Sequence, residues 1–319
     1  MQLAPRAAKG TTGAAAEPLG VEEAWQLLLA LRRWVDDGAL AADGLLGFTL
    51  TDGLWRSDRP ARAELLIDLA RGVALPGGRP LAASAAELLT LHLAHALRGQ
   101  GEGGHVSAIL GQSLDGFIAT REGDSRYING QASLVHLHRL RALSDAVVIG
   151  VGTALADAPR LTTRHVPGPH AARVVIDPRG RLPTDSGLLH DGAAPTLVVR
   201  QTEAGPIERP LSAQATALHL PARGGAIDPA GLLAALATRG LTRVLVEGGG
   251  CTVARFLGAG LLDRLQLAVS PLILGGGRPA LPVPPAARLD QALRPPCRCH
   301  PMGEDMLFDL RLERQPRVP

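Results

Sequence analysis

The chain has 319 residues, 46% of them hydrophobic and 20% charged, with a formal net charge of +3. This is enough for two domains, or one large domain with an appendage, and too apolar for disorder. The small charge, with no arginine run interleaved with aromatics, argues against a nucleic-acid partner, and no apolar stretch approaches a membrane span. Aromatics are only 3%, so the core must be built from Leu, Val, Ile and Ala. Lys9 is the only lysine, and arginine carries nearly all the positive charge. The three cysteines, Cys251, Cys297 and Cys299, are too few and odd in number for a disulfide framework; they predict a reducing, cytoplasmic setting.

Taken in chain order, Met1–Gly20 is rich in Ala, Gly, Thr and Pro and lacks the apolar core of a secretory signal, which predicts a disordered tail. From Val21 to Gly104 the pattern predicts a small, mainly helical accessory region. Ala24, Leu27, Leu28, Leu31, Trp34 and Val35 recur at helical spacing, with Trp34 packed in a small core and Trp25 at its border. Ala63–Ala70 and Ala85–Leu97 read as two further helices, and the glycine-rich segment from Arg98 to Gly104 reads as a linker. His92 and His95 are expected to be structural.

From His105 to the end, short apolar strands alternate with helices. Strands are predicted at His105–Leu110, Ala146–Gly150, Arg173–Ile176, Thr196–Val199 and Arg243–Val246, and helices at Ser133–Ala142, Pro229–Thr238 and Thr252–Leu257. This alternation predicts an α/β sheet, mostly parallel and flanked by helices. Arg264–Val269 and Met306–Leu312 read as late strands at an antiparallel edge.

Chemistry concentrates where strands give way to glycine. Val246-Glu247-Gly248-Gly249-Gly250 leads into a helix whose N-terminal N–H groups suit a pyrophosphate, or it is a strand-to-helix turn without a ligand. The spacing differs from the Gly-x-Gly-x-x-Gly fingerprint, which disfavours an ordinary Rossmann domain. Gly150-Val151-Gly152-Thr153 places Thr153 at a strand's carboxyl end, where α/β ligands bind. Asp157, close to Pro159, suits a cap or turn as well as a ligand contact. Read on their own, Arg141 suits a solvated charge at a helix C-terminus and Arg164 a surface loop residue. Pro296-Cys297-Arg298-Cys299-His300 has the wrong spacing for structural zinc, and no metal site is predicted. His136 and His138 are expected to lie at the surface or in packing.

Five motifs occur in order: Ser113-Leu114-Asp115-Gly116 with Gly123-Asp124-Ser125-Arg126-Tyr127-Ile128; His138-Arg139-Leu140-Arg141-Ala142; Asp145 through Arg164; Val174-Val175-Ile176-Asp177-Pro178-Arg179-Gly180-Arg181; and Glu247–Gly250 leading to Gly275-Gly276-Gly277. From about His105 to Glu313 this set resembles the reductase domain of riboflavin biosynthesis, the 5-amino-6-(5-phosphoribosylamino)uracil reductase family. The resemblance implies a dihydrofolate-reductase-like fold over 105–319, NADPH as cofactor, a phosphorylated ribosylamino-pyrimidine substrate and a homodimer. It places Ser125, Arg141, Leu161, Arg164 and Glu247 at the substrate. It places Gly111, Tyr127, Thr153, Asp157, Gly248, Gly249, Gly250 and Thr252 at the cofactor, with Arg179 and Arg181 left to hold the 2′-phosphate. Ile109 stands where many relatives carry Lys, and Pro178 where many carry Ser. A same-fold reductase of a pteridine or specialised metabolite, and a nucleotide-binding protein without turnover, remain alternatives. The His-x-Glu and Pro-Cys-x-x-Cys elements of a zinc deaminase are absent.

Overall fold

The structure is a computed structural model describing residues 16–40, 44–69, 72–97, 104–126, 128–202, 207–223 and 225–312. The expected tail up to residue 15, most of the expected linker and Tyr127 lie outside the described residues. Two compact units divide the chain. One ends at Ala30 and resumes over Leu40–Leu93; the other comprises Leu31–Ala39 and everything from Ala94.

Helices α1 (Val21–Asp36) and α2 (Ala83–Leu97) begin in the first unit. Between them run strands β1 (Leu45–Thr51), β2 (Leu54–Asp58), β3 (Leu65–Asp68) and β4 (Val73–Pro76), an antiparallel sheet in the order β2-β1-β3-β4. The helix expected at Ala63–Ala70 is therefore a strand. Its apolar residues alternate rather than wind: Leu65 and Ile67 are fully buried while Leu66 and Asp68 are half-buried. Period two with turn residues on both sides is a strand signal, and it outweighs the helix propensity of Ala, Glu and Leu. Within α1 the fully packed tryptophan is Trp25, whereas Trp34 is half-buried. Leu19, expected in the loose tail, is buried, and its N–H bonds Pro80 O at 2.8 Å.

The second unit runs β5 (His105–Ser113), β6 (Phe117–Ala119), α3 (Gln131–Leu143), β7 (Ala146–Gly150), α4 (Val151–Asp157) and β8 (Ala172–Ile176). It continues through α5 (Gly187–His190), β9 (Thr196–Thr202), β10 (Ile207–Pro210), β11 (Ala215–Arg223), β12 (Ala226–Ile227) and α6 (Pro229–Ala237). The last elements are β13 (Arg243–Glu247), α7 (Gly250–Gly258), β14 (Arg264–Ser270), β15 (Arg278–Pro279), β16 (Cys297–Met302) and β17 (Asp305–Arg311). The main sheet has the order β10-β11-β9-β8-β7-β13-β5-β14-β17-β16. Pairing from β11 through β14 is parallel, and β10, β17 and β16 join antiparallel at the edges. This is the expected α/β architecture, although β14 itself runs parallel to β5 and only its far side is antiparallel.

Helices cover both faces, so the central strands turn apolar residues to both sides rather than to alternate positions only. Val148 and Val246 face a core shared with Leu232 and Leu236 of α6 and Val253 and Phe256 of α7. Val147, Ile149 and Leu245 face the opposite core, with Leu140 of α3 and Val151 and Ala154 of α4. At the strands' amino ends lies a buried polar network. Asp145 accepts hydrogen bonds from Arg243 Nη2 at 2.9 Å and Arg32 Nη2 at 3.1 Å, and Arg243 also pairs with Asp36. The fully buried His95 meets Ser144 Oγ at 2.8 Å and Ser107 Oγ at 3.2 Å. His92, His95, His136 and His138 are all buried, as structural or packing residues should be.

Candidate active site

Because β8, β7, β13 and β5 are adjacent and parallel, their carboxyl ends share one edge of the sheet. A cleft of about 1190 Å³ opens there. Such an edge is where open α/β sheets bind ligands.

The glycine turns are required by close approach. Gly248 and Gly249 have φ of 66° and 71°, and a Cβ on Gly249 would lie 2.9 Å from Thr153 Oγ1. A Cβ on Gly250 would lie 2.3 Å from Ala280 O. The β7–α4 and β13–α7 turns therefore pack together only with glycine, and Gly249, the N-cap of α7, has no side chain to occupy the helix end. Thr153 and Thr252 flank this cradle and line the cleft, as do Gly248, Gly249 and Gly250. A backbone-lined cradle at a helix N-terminus fits the diphosphate of a dinucleotide.

After β8, the fully buried Asp177 accepts the N–H groups of Arg181 at 2.8 Å and Leu182 at 2.9 Å. That turn presents Arg179 and Arg181, both exposed, at the cleft wall. Gly111, on β5, lines the cleft; a Cβ there would lie 1.9 Å from Asn129 Oδ1. Asn129 Nδ2 donates to Ala268 O at 2.9 Å. Asn129 is a cleft residue that the sequence reading missed, although Asn-Gly after a motif is a turn signal that points to it.

Glu247 ends β13, beside its register partner Ile109. It is only 6% exposed, and Arg141 at 7% grips it through both oxygens, at 2.7 Å from Nε and 2.6 Å from Nη2. Burial opposes the Arg141 charge, but Glu247 holds its pKa above the ordinary value. Arg141 Nη1 reaches Thr162 O at 3.1 Å. Leu161, buried with a left-handed φ of 55°, turns the chain so that this carbonyl faces inward. A non-glycine residue in that region is strained and persists when its surroundings fix it.

The fork of Arg141 is thus largely taken by Glu247, so the two expected arginines differ in kind. Arg164 is exposed and donates through Nη1 to Thr162 Oγ1 at 3.1 Å. Partial burial first, and then the nearby Arg141 and Arg160, depress its pKa. It does not line the cleft as Arg141, Ser125, Leu161 and Glu247 do. Asp157 is the last residue of α4, neither an N-cap nor a turn residue, and accepts from Ser125 Oγ at 3.4 Å. Among the described residues no group of three or more His, Cys, Asp or Glu could hold a metal. No helix among them is long and apolar enough to cross a membrane.

A parallel α/β sheet with a glycine cradle, an arginine turn and a buried carboxylate in one cleft is the arrangement of a nucleotide-binding α/β protein. More narrowly, the RibD C-terminal domain family matches residues 105–294, and the chain belongs to that family. It is 35% identical over 204 residues to the 2,5-diamino-6-ribosylamino-4(3H)-pyrimidinone 5′-phosphate reductase of Methanothermobacter thermautotrophicus, covering 62% of this chain and 93% of that one. It is 34% identical to the riboflavin biosynthesis protein RibD of Mycobacterium tuberculosis over 60% of this chain, but spans only 49% of that relative. The structure of Acinetobacter baumannii RibD superposes with a TM-score of 0.56 at 26% identity, covering 72% of this chain and 63% of that one.

Proposed function

We propose that the chain reduces a ribosylamino-pyrimidine 5′-phosphate to its ribitylamino form, with NADPH as reductant. The observation that carries the reading is the single cleft in which a glycine cradle, the Arg179–Arg181 turn and the Arg141–Glu247 pair converge. Similarity to a reductase that covers nearly all of that relative's length supports the same chemistry.

Bound nicotinamide supplies a hydride at its C4. Gly248, Gly249, Gly250, Thr252 and Thr153 hold the diphosphate, Gly111 and Asp157 border the rest of the cofactor, and Arg179 and Arg181 take the 2′-phosphate. Resemblance adds Tyr127 beside it. Glu247 keeps lone pairs for ribose hydroxyls while Arg141 fixes its orientation. Ser125 and Leu161 position the sugar, and resemblance adds Arg164 for the substrate phosphate, although its guanidinium bonds Thr162 Oγ1 beside Leu161 rather than lining the cleft. Alignment of the two reactants is the main catalytic contribution. The same reading carries a homodimer in the cytoplasm without nucleic-acid or membrane partners.

The test is NADPH oxidation by the purified chain with the deaminated ribosylamino-pyrimidine phosphate, its diamino precursor and dihydrofolate in parallel. Turnover of dihydrofolate alone would reassign the substrate. Absence of NADPH binding would remove the function altogether.

A further inference from the structure

Cys297-Arg298-Cys299 plays no part in the proposed reaction, yet the structure places it distinctively. It opens β16, the terminal strand of the main sheet. Side chains alternate along a strand, so Cys297 and Cys299 share one face while Arg298 and His300 take the other. Both thiols are free and exposed, whereas His300 is buried. Opposite the cysteines in register stand Leu310 and Phe308, both half-buried. Leu310 packs against the core on that face. The result is a pair of thiols on an apolar shelf at an open sheet edge.

The spacing decides what such a pair can do. Alternate residues on one strand stand about 6.7 Å apart. A relaxed disulfide needs Cβ atoms about 3.5–4.5 Å apart, so direct S–S closure would buckle the strand. An ion bridging two thiolates in line, with metal–sulfur bonds near 2.3 Å, needs sulfurs about 4.6 Å apart. The Cys299 side chain is already a hydrogen-bonding neighbour of the Cys297 thiol, so χ1 rotation is enough to set the two sulfurs about one ion. Tetrahedral zinc needs two more ligands, and no third His, Cys, Asp or Glu joins the pair among the described residues. Thiolates without harder ligands select soft ions.

We propose that Cys297 and Cys299 form a two-thiolate site for a soft, thiophilic centre, with monovalent copper as the ion it fits. Binding converts two thiols and Cu⁺ into a two-coordinate dithiolate, releasing two protons and changing no oxidation state. A trivalent arsenical takes the same two thiols with the sulfurs drawn closer than an in-line ion requires, because arsenic is pyramidal: phenylarsine oxide and two thiols give the cyclic dithioarsenite and one water.

The experiment uses the reduced full-length chain and is independent of its reductase activity. One equivalent of phenylarsine oxide should consume two of the three thiols and add one arsenical per chain by intact mass. Cys297→Ser and Cys299→Ser should each keep both remaining thiols, while Cys251→Ser should still lose two. Against a chromophoric Cu⁺ chelator, the parent chain and Cys251→Ser should withdraw one equivalent. Each of the other two serine variants, checked for an unchanged circular dichroism spectrum, should bind at least tenfold more weakly. Arsenical capture by Cys299→Ser at the parent level would overturn the site, as would adducts bridging two chains. Quantitative closure of a Cys297–Cys299 disulfide under mild oxidation would overturn the spacing argument.

Discussion

Replacing Arg141 with alanine tests whether its first task is to hold Glu247 rather than to grip a phosphate. The substitution leaves a carboxylate only 6% exposed, stripped of the two hydrogen bonds at 2.7 and 2.6 Å that compensate its burial. Breaking a buried pair by removing one partner costs about 3–5 kcal/mol, most of it from the charge left behind. At about 2–4 °C per kcal/mol for a unit of this size, the melting midpoint should fall by roughly 6–20 °C. Arg141→Lys keeps the charge but not the fork, and should recover part of the loss. Removing both charges in Arg141→Ala with Glu247→Leu leaves nothing unpaired, so the double variant should be more stable than Arg141→Ala alone. Thermal melts of the four chains by circular dichroism provide the measurement. A loss below about 1 kcal/mol for Arg141→Ala, with normal folding, would mean the pair is solvated, and the positioning role would fail.

Arg179→Ala combined with Arg181→Ala should weaken NADPH by roughly 10- to 100-fold per lost contact while sparing NADH, read by fluorescence titration; equal losses would remove the 2′-phosphate assignment. Arg164→Ala should raise the substrate KM by roughly 10- to 100-fold and leave NADPH affinity intact, whereas an unchanged KM would place the phosphate elsewhere. Burial, the largest influence, lowers the His136 pKa to about 4, so between pH 6.5 and 4 the unfolded chain takes up a proton that the folded chain refuses. This stabilisation is complete above pH 6.5 and lost towards pH 4, by about 3 kcal/mol, and His136→Asn should flatten that slope in urea titrations. A chain beginning at Gly101 lacks Arg32, Asp36, His95 and the Ala96 carbonyl, all bonded within the second unit. It should melt below a chain beginning at Val21, with each charge-assisted contact costing about 1.5–3 kcal/mol; equal midpoints would show that these contacts are dispensable.

The second unit's parallel strands were legible because each is a short apolar run bounded by glycine or a polar turn, and β5, β7, β8, β9 and β13 all begin within one residue of expectation. The short helix α4 was not foreseen. It begins Val151-Gly152-Thr153, where a glycine and a β-branched pair give weak helix propensity, and packing of Val151 and Ala154 against the sheet decides the matter. In the first unit, β3 was misread because four residues are too few for propensity to separate helix from strand. The cleft residues were legible as motifs, but their division of labour was not. Nothing in the spacing of Arg141 and Glu247, which are 106 positions apart, shows that they pair; that follows only when α3 packs beside β13.

Several carboxylates of the second unit spend their oxygens on backbone N–H and hydroxyl groups and so fix the loops at the strand ends. Asp177 binds two backbone N–H groups and thereby sets the arginine turn. Asp305, 3% exposed, accepts Gly130 N at 2.8 Å and Ser133 Oγ at 2.6 Å, fixing the turn that carries Asn129. Asp115 accepts Ser113 Oγ at 2.6 Å and the N–H groups of Leu274 and Gly275 at 3.1 and 2.7 Å; the serine bond leads the effects that hold its pKa low. Ser-Leu-Asp-Gly and the Gly275–Gly277 run, two of the recognised motifs, are therefore halves of one loop clamp. A ligand meeting backbone N–H groups gains from them only if they are already in place, because ordering them on binding would consume the same free energy. Glycine makes these turns possible and also leaves them free to move. At the turns after β5 and β8 an aspartate fixes the permissive backbone and resolves that conflict, which gives Asp115 and Asp177 a structural reason to stand within their motifs.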